Sequence, residues 1–207
     1  HSRFDADTVI RSLTECTVMM GVPTYYTRML DNILLDSEYC KNMRLFICGS
    51  APLLPETFKE FQARTGHLIL ERYGMTETGI NTSNPLKGKR VAGTVGQVLP
   101  GTIARIVDDT GKIVDSEEPG NLQVKGDNVF SGYWNMPEKT AEDFTSDGFF
   151  NTGDKAVINE DGYISIVGRS KDMIISGGLN IYPREIELVI DQLPEVVESA
   201  VIGIADH

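Results

Sequence analysis

The chain has 207 residues, of which 41% are hydrophobic, and carries a formal net charge of −11 at pH 7. This length and apolar content suit one large domain or two modest ones and exclude a disordered chain. The negative charge excludes a general basic surface for nucleic acid or anionic lipid, so an anionic ligand would need a local cationic or backbone-amide pocket. No stretch approaches the roughly 18 apolar residues of a membrane span, and the first residues lack a signal-peptide layout.

The cysteine and histidine patterns exclude several kinds of site. Cys16, Cys40 and Cys48 are odd in number and without paired spacing, which predicts reduced, mostly buried thiols. The three histidines are scattered, so neither a zinc cluster nor a His-based triad is predicted. We expect a cytoplasmic protein, or one of the mitochondrial matrix in a eukaryote; the sequence does not give the oligomeric state.

The first third of the chain repeats strand, loop and helix, which predicts a parallel sheet with helical crossovers. Gly66 is the expected left-handed C-cap of the third helix. Strand-to-helix loops of such a sheet emerge at its carboxyl edge, where ligands bind. We therefore expect three loops, 21–24, 49–52 and 73–78, along one rim. The predicted elements are a helix over 5–13, a strand over 17–20, a helix over 25–35, a strand over 43–48, a helix over 55–64 and a strand over 67–70.

Beyond residue 84 the sequence becomes rich in glycine and in short alternating segments, such as 102–107 and 121–125. This texture predicts an antiparallel, barrel-like β subdomain. Its last predicted strand covers residues 163–167. Tyr133 and Trp134 are interpreted as packing anchors rather than ligands.

A third sequence pattern begins at Lys171, and it predicts the start of a small α+β C-terminal domain. Its expected elements are a strand over 173–176, a turn at Gly177-Gly178, a helix over 183–193 and a strand over 198–204. We thus predict three segments, 1–100, 101–170 and 171–207. We also expect the chain to be a fragment, because it stops before the third segment could bury a sheet.

The stretch Glu71-Arg72-Tyr73-Gly74-Met75-Thr76-Glu77-Thr78 follows the third strand and has the residue types of a nucleotide site. An aromatic ring can stack on a base, a glycine lets backbone approach a phosphate, and a carboxylate can hold magnesium against phosphate oxygens. A solvated turn could use the same residues, so the octapeptide alone leaves both interpretations open.

Three other features are individually ambiguous. The loop 49–53 could line a planar slot or be an ordinary strand-to-helix turn. Asp154, in Asn-Thr-Gly-Asp at the expected end of a β run, could accept hydrogen bonds from ribose hydroxyls, although such turns are common on surfaces. Arg169 could hold a ribose or phosphate oxygen, or form a surface ion pair.

Taken in order, these motifs resemble the acyl-adenylate-forming superfamily of acyl-CoA synthetases, luciferases and peptide-synthetase adenylation domains. The resemblance covers essentially the whole chain. It is carried by Gly-Ser-Ala-Pro-Leu from Gly49, Tyr-Gly-Met-Thr-Glu from Tyr73, Thr-Gly-Asp from Thr152, and Gly-Arg-Ser-Lys-Asp-Met-Ile-Ile-Ser-Gly-Gly from Gly168.

The resemblance implies an ATP-dependent acid-thiol ligase that uses ATP, Mg²⁺ and CoA. It implies that the loop 49–52 and the Tyr73 ring sandwich adenine, that Thr76 contacts the α-phosphate, and that Glu77 helps to hold Mg²⁺. Asp154 and Arg169 would grip the ribose. The full set implied to bind ATP or AMP is Gly49, Ser50, Ala51, Pro52, Glu71, Arg72, Tyr73, Gly74, Met75, Thr76, Asp154 and Arg169.

The resemblance also assigns residues to the second half-reaction. Lys171 matches the hinge about which a small C-terminal domain swings. Gly177 and Gly178 match the glycines at the tunnel for the pantetheine arm of CoA.

Substrate choice centres on Arg28. Residues 20–28 match the family's acyl-pocket segment, and Thr24 and Arg28 should share one helix face, so the guanidinium could pair with a second carboxylate. A solvated helix arginine is the alternative. Several segments look most like the malonyl-CoA synthetase subgroup, in which the matching arginine is thought to bind malonate. Methylmalonate or a fatty acid stays open as the substrate, as does a non-catalytic nucleotide-binding or interaction module.

Two family parts have no counterpart in residues 1–207. These are the Ser/Thr/Gly-rich loop for the β- and γ-phosphates and the lysine that activates the acyl carboxylate. From the sequence we therefore expect this polypeptide to be inactive alone, within a longer ligase.

Overall fold

A computed structural model of the chain describes residues 4–176, 179–191, 193, 195–196 and 199–204, with Asn180 described by its backbone alone. The chain forms two compact units, divided between Leu99 and Pro100. The predicted division into 1–100, 101–170 and 171–207 stays a prediction.

The first unit is a five-stranded mixed sheet with helices, in the strand order β1-β2-β3-β4-β5. Strands β1, β2 and β3 are parallel, whereas β4 and β5 add antiparallel strands beyond β3. Its helices are α1 (Ala6–Ser12), α2 (Pro23–Leu30) and α3 (Pro55–Thr65), and its strands are β1 (Val18–Gly21), β2 (Leu45–Cys48), β3 (Ile69–Met75), β4 (Gly79–Ser83) and β5 (Gln97–Val98).

The core of this unit explains why these segments form these elements. Phe61 of α3 packs edge-on against Phe46 of β2 at 4.9 Å and against Tyr26 of α2 at 5.4 Å between ring centroids, and all three side chains are fully buried. Gly66 ends α3 at φ 77°, so the predicted left-handed C-cap is confirmed.

The second unit holds a four-stranded antiparallel sheet in the order β6-β7-β8-β9. Within the described residues β6 and β9 are its two edges, so the predicted barrel-like subdomain is an open antiparallel sheet. Its elements are β6 (Thr102–Val107), β7 (Gly120–Gly126), α4 (Pro137–Asp143), β8 (Phe150–Ile158) and β9 (Ile164–Arg169), followed by the hairpin of β10 (Ile174–Ser176) with β11 (Leu179–Ile181) and the helix α5 (Pro183–Ile190).

Several expected element bounds are wrong for identifiable reasons. Helix α2 begins at Pro23, whose fixed φ suits a first helical turn, and ends at Leu30 rather than at residue 35. β3 continues to Met75 and turns back into β4, so a hairpin replaces the expected strand-to-helix loop. The strand expected over 198–204 is not assigned in residues 199–204, where the Val201 N–H donates to a Glu187 carboxylate oxygen instead.

Side-chain burial also differs from expectation at one aromatic. Tyr133 packs edge-on against Phe130 at 4.8 Å, but Trp134 is 89% exposed and is not a packing anchor. Cys40 and Cys48 are buried thiols, as expected, while Cys16 is exposed.

Candidate nucleotide site

The parallel register brings the predicted loops to one edge of the first unit. Gly21 of β1 lies opposite Cys48 of β2, and Cys48 lies opposite Glu71 of β3. The chain therefore leaves β1 and β2 at the same level and in the same direction, whereas β3 continues past this level to Met75. This is the carboxyl edge at which open α/β sheets bind their ligands.

The loop 49–53 lies against β3 at this edge. An ideal Cβ on Gly49 would be 3.2 Å from the Arg72 carbonyl oxygen, so the loop backbone runs close to the strand. Ser50 has φ 70°, a conformation that costs a non-glycine residue about 1–3 kcal/mol. Ser50, Ala51 and Pro52 are exposed, whereas the Leu53 side chain is 3% exposed and anchors the loop. The loop thus presents strained, exposed backbone at the rim.

The β3–β4 hairpin carries the centre of the predicted motif. The ladder has a register shift between Tyr73 and Gly74, and an ideal Cβ on Gly74 would be 2.0 Å from the Gly79 carbonyl oxygen. Only glycine fits there, because the opposing backbone occupies the space of a side chain. The Tyr73 side chain is half-buried next to this bulge.

The hairpin turn presents Thr76 to solvent and leaves Glu77 half-buried. Thr78 fixes the turn from inside: it is fully buried, its N–H donates to the Met75 carbonyl at 3.1 Å, and its hydroxyl oxygen accepts from Asn81 Nδ2 at 2.7 Å. A hydroxyl and a carboxylate therefore stand side by side on a turn with a fixed backbone.

Glu71 and Arg72 contact protein rather than the open rim. Glu71 is 5% exposed, and its carboxyl accepts hydrogen bonds from the backbone N–H groups of Leu53 and Gly93. Burial raises the pKa of Glu71 to about 8. Arg72 places Nη2 2.8 Å from the sulfur of Met20.

Asn84 is a buried residue with a role that the motifs of the sequence do not reveal. Its N–H donates to the Glu71 carbonyl at 2.9 Å, its Oδ1 accepts from Val91 N at 2.9 Å, and its Nδ2 donates to the Thr94 carbonyl at 2.9 Å. Its place after a polar strand and before Pro85 is the sequence signal that could have marked it as a turn-stabilising side chain. The segment 91–94 is thereby tied to β3.

Arg28 lies on α2, directly beyond the carboxyl end of β1. Arg28 and Thr24 are both exposed and are four residues apart on one helix face, as predicted. Within the described part of the chain the guanidinium has no hydrogen-bond or ion-pair partner. Its donors are thus open to an external anion.

The second unit brings Asp154 and Arg169 together, although Asp154 lies inside β8 rather than at the end of a β run. The two residues are register partners on β8 and β9, and Arg169 Nε lies 2.9 Å from Asp154 Oδ1. The Asp154 side chain is 6% exposed and that of Arg169 is 52% exposed. Gly153, at φ 74°, breaks the regular alternation just before the acid.

The remaining predicted residues lie after β9. Lys171 is exposed on a 3₁₀ turn, Ser170–Asp172, whose first residue donates from Ser170 Oγ to Asn121 Oδ1 at 3.2 Å. Gly177 and Gly178 lie outside the described residues.

Glu77 suits a Mg²⁺ ion that is bound together with a nucleotide, rather than an ion held by protein ligands alone. The described residues contain no group of three His, Cys, Asp or Glu side chains able to hold a metal by themselves. Mg²⁺ in nucleotide sites is commonly held by one or two carboxylates together with phosphate oxygens of the nucleotide. A single acid on an accessible turn can be such a carboxylate.

Among the described residues no helix is long and apolar enough to cross a membrane.

With this geometry established, comparison with known proteins defines the class. Residues 2–134 match the model of the AMP-binding enzyme family, and the chain belongs to that family.

Individual relatives add detail. The chain is 42% identical to a malonate–CoA ligase of Arabidopsis thaliana and 39% identical to a long-chain-fatty-acid–CoA ligase of Yersinia pestis, with 92% of the chain covered in each case. It is 56% identical to ATP-bound MatB from Rhodopseudomonas palustris, with a TM-score of 0.96 over 99% of the chain and 41% of that structure. The chain spans 32% and 34% of the two ligases, about a third of their length.

Proposed function

We propose that this chain is part of an adenylate-forming acid-thiol ligase. A carboxylate attacks the α-phosphorus of ATP, diphosphate leaves, and the thiol of CoA then attacks the acyl-AMP to give acyl-CoA and AMP. The observation that carries the proposal is the family match, together with the carboxyl-edge position of its nucleotide motifs. Both reactants of the first step are anions, so the site must offset their repulsion.

Adenine is held between the loop 49–52 and the ring of Tyr73. The exposed, strained backbone at Ser50 and the close approach of the loop to β3 favour a planar slot beside the ring. Stacking on an aromatic face requires no particular hydrogen bond. The backbone of Gly74 and Met75 forms the adjoining wall.

Thr76 and Glu77 are the proposed catalytic residues of the hairpin turn. The Thr76 hydroxyl donates to an α-phosphate oxygen, and Glu77 is the carboxylate that would hold Mg²⁺. When bound, the ion would neutralise phosphate charge as diphosphate leaves. The buried Thr78–Asn81 hydrogen bond keeps the turn rigid, which favours a fixed geometry for both groups.

Asp154 is the proposed ribose acceptor, with Arg169 as its partner. The ion pair orients the carboxylate, and the half-exposed guanidinium retains donors for a nucleotide oxygen. Lys171 is the proposed hinge, on the turn that directly follows β9. Gly177 and Gly178 keep their proposed place at the CoA tunnel.

Malonate is the substrate that these features favour. Arg28 offers an open guanidinium in the segment that corresponds to the acyl pocket, and a similar protein is a malonate–CoA ligase. A guanidinium pairs bidentately with a carboxylate, so it suits the distal end of a dicarboxylate. A fatty acid is the second candidate, because another similar protein is a long-chain-fatty-acid–CoA ligase.

The test is acid-dependent ATP–diphosphate exchange by the full-length protein, followed by thioester formation with CoA. The acids are malonate, methylmalonate, octanoate and palmitate. We expect exchange with malonate, weaker exchange with methylmalonate, and little with the two monocarboxylates, because these leave the guanidinium unpaired. Preference for palmitate would overturn the malonate assignment, and AMP binding without any exchange would overturn the ligase assignment.

A further inference from the structure

Glu71 has a buried carboxyl that joins three segments of the first unit. It lies on β3, where the parallel pairing with β2 ends at Cys48. One carboxyl oxygen accepts from the backbone N–H groups of both Leu53 and Gly93, while Oε1 has no hydrogen-bond partner among the described residues. The side chain therefore bridges two loops that come from different parts of the chain.

Both bridged loops lie beside the proposed adenine slot. Leu53 directly follows the exposed residues 50–52 and is itself buried. An ideal Cβ on Gly93 would be 3.4 Å from Pro55 Cγ, so the second loop packs on the first residue of α3. A shift of the Glu71 side chain would therefore displace Leu53 and also the loop around Gly93, which packs on Pro55 at the end of the same segment.

The backbone of Glu71 takes part in the same junction. Its carbonyl accepts from Asn84 N, and the Asn84 side chain fixes Val91 and Thr94 on either side of Gly93. Tyr73, whose ring forms the other side of the proposed slot, lies two residues after Glu71 on β3. The main-chain and side-chain hydrogen bonds of Glu71 thus connect the loop 49–52 with the strand that carries Tyr73.

We propose that Glu71 is a positioning residue for nucleotide binding, whose carboxyl holds the loop 49–53 at a fixed distance from the Tyr73 ring. This inference rests on the proposed function. It differs from a direct contact with the nucleotide, because the hydrogen bonds of Glu71 go to protein backbone.

The chemistry of the group supports a positioning role over simple packing. An acid buried without an ion pair is costly, and an apolar side chain would fill the same space more favourably. The group is largely neutral at pH 7, since burial raises its pKa to about 8, and Cys48 faces it from β2. What an apolar residue cannot supply is an acceptor for two backbone N–H groups.

The matched variants are Glu71→Gln and Glu71→Met, made in the full-length protein. Both are neutral and similar in length, but only glutamine keeps a carbonyl acceptor. We expect Glu71→Met to raise the Kd for ATP about tenfold or more, through loss of loop position, and Glu71→Gln to stay within about threefold of wild type. Glu60→Met, at an exposed position of α3, is the control for introducing methionine.

Hydrogen exchange supplies a readout that does not depend on activity. We expect Glu71→Met to speed amide exchange in peptides that cover residues 49–54 and 91–94, but not in a peptide of β7. If Glu71→Met does not fold, the wild-type protein still tests the bonds: the amides of Leu53 and Gly93 should be protected, and free exchange at both would overturn the inference.

The possible failures are distinct. Wild-type protein that does not bind ATP would overturn the proposed function. Wild-type protein that binds ATP, with equal affinity in Glu71→Met, would overturn the positioning role alone. Equal losses in Glu71→Met and Glu71→Gln would also overturn it, because they would show that the acceptor is not what matters.

Discussion

Arg28 is the residue on which the proposed preference for malonate depends. Its guanidinium is exposed and has no partner within the described chain, so a dicarboxylate can pair with it without breaking an existing ion pair. We predict that Arg28→Leu raises KM for malonate about tenfold to a hundredfold and leaves KM for ATP within about twofold, because a charge-assisted bond contributes about 1.5–3 kcal/mol. Steady-state kinetics of the full-length enzyme measure both constants.

The matched control is Arg44→Leu. Arg44 is also exposed but precedes β2, at the opposite edge of the sheet from the rim. Its loss should leave KM for malonate unchanged. An equal rise of KM in the two variants would attribute the effect to net charge and contradict a specific role for Arg28.

Asp154 is the second residue with a specific expected effect. Its carboxylate is buried beside Arg169, and ribose hydroxyls would donate to it. We predict that Asp154→Asn weakens ATP binding about tenfold or more but weakens 2′-deoxy-ATP binding less. The reason is that 2′-deoxy-ATP lacks the 2′-hydroxyl, one of the two groups that would donate to the carboxylate. Isothermal titration with the two nucleotides gives the ratio.

Asp115→Asn provides the comparison, since Asp115 is an exposed aspartate of the same unit. It should change neither affinity. If Asp154→Asn weakened both nucleotides equally, Asp154 would act on the fold of the sheet rather than on the ribose.

At the scale of elements, the β3–β4 hairpin depends on one glycine for space and on another for conformation. A Cβ at Gly74 would overlap the Gly79 carbonyl oxygen, whereas a Cβ at Gly79, at φ 60°, would meet nothing within 4 Å. We predict that Gly74→Ala lowers the free energy of unfolding by about 3 kcal/mol or more and that Gly79→Ala lowers it by only about 1–2 kcal/mol.

Urea denaturation of the two variants, made separately, measures this difference. Equal destabilisation would mean that the two strands move apart to accommodate the methyl group of alanine at position 74. A rigid hairpin is what the proposed placement of Thr76 and Glu77 requires, so Gly74→Ala should also weaken ATP binding while Gly79→Ala should affect it less.

The sequence predicts elements well where local pattern and sheet topology agree. Helix α3, with proline at its start and Gly66 at its end, lies within one residue of its predicted bounds. The sequence does not predict the turn into β4, because antiparallel pairing at that sheet edge depends on residues 79–83, whose polar composition resembles a loop. Asp154 is predicted at a strand end for a similar reason: Thr-Gly-Asp is typical of a turn, but Gly153 is a local irregularity within β8.

The sequence predicts the sheet edge at which the candidate site lies, but not the buried hydrogen bonds that hold its loops in place. The loops after β1 and β2 could be placed together because parallel strands end at one edge, whereas the third predicted loop lies on the hairpin that extends beyond it. Burial of Glu71 could not be predicted, because its partners, Leu53 and Gly93, are backbone groups of distant segments. Exposure of Trp134 escaped prediction in the same way, since it depends on what packs around it.

At the scale of the whole molecule, each compact unit holds its own set of proposed functional residues. The rim with Tyr73 and Thr76 belongs to the first unit, and Asp154 with Arg169 belongs to the second. The predictions for Arg28 and Gly74 therefore test the first unit, and the prediction for Asp154 tests the second.

Proton binding by Glu71 should make the stability of the first unit depend on pH in a defined window. The folded-state pKa is raised from 4.5 to about 8, so between these values the folded chain retains a proton that the unfolded chain has released. Stability must therefore fall as pH rises from about 4.5 to 8, with a slope of at most about 1.4 kcal/mol per pH unit.

Other shifted groups act outside that window. The pKa of Asp147 is lowered from 3.8 to about 2 by its hydrogen bond with Arg105, so its stabilisation is lost only as pH falls below 3.8. The pKa of Cys48 is raised from 9.0 to about 12 by burial, so its effect begins above pH 9.

We predict that Glu71→Gln flattens the stability profile between pH 5 and 8, and that Glu60→Gln, at an exposed position, does not. Urea unfolding at half-unit steps of pH measures the slopes; a wild-type slope that persists in Glu71→Gln would assign the proton to another group.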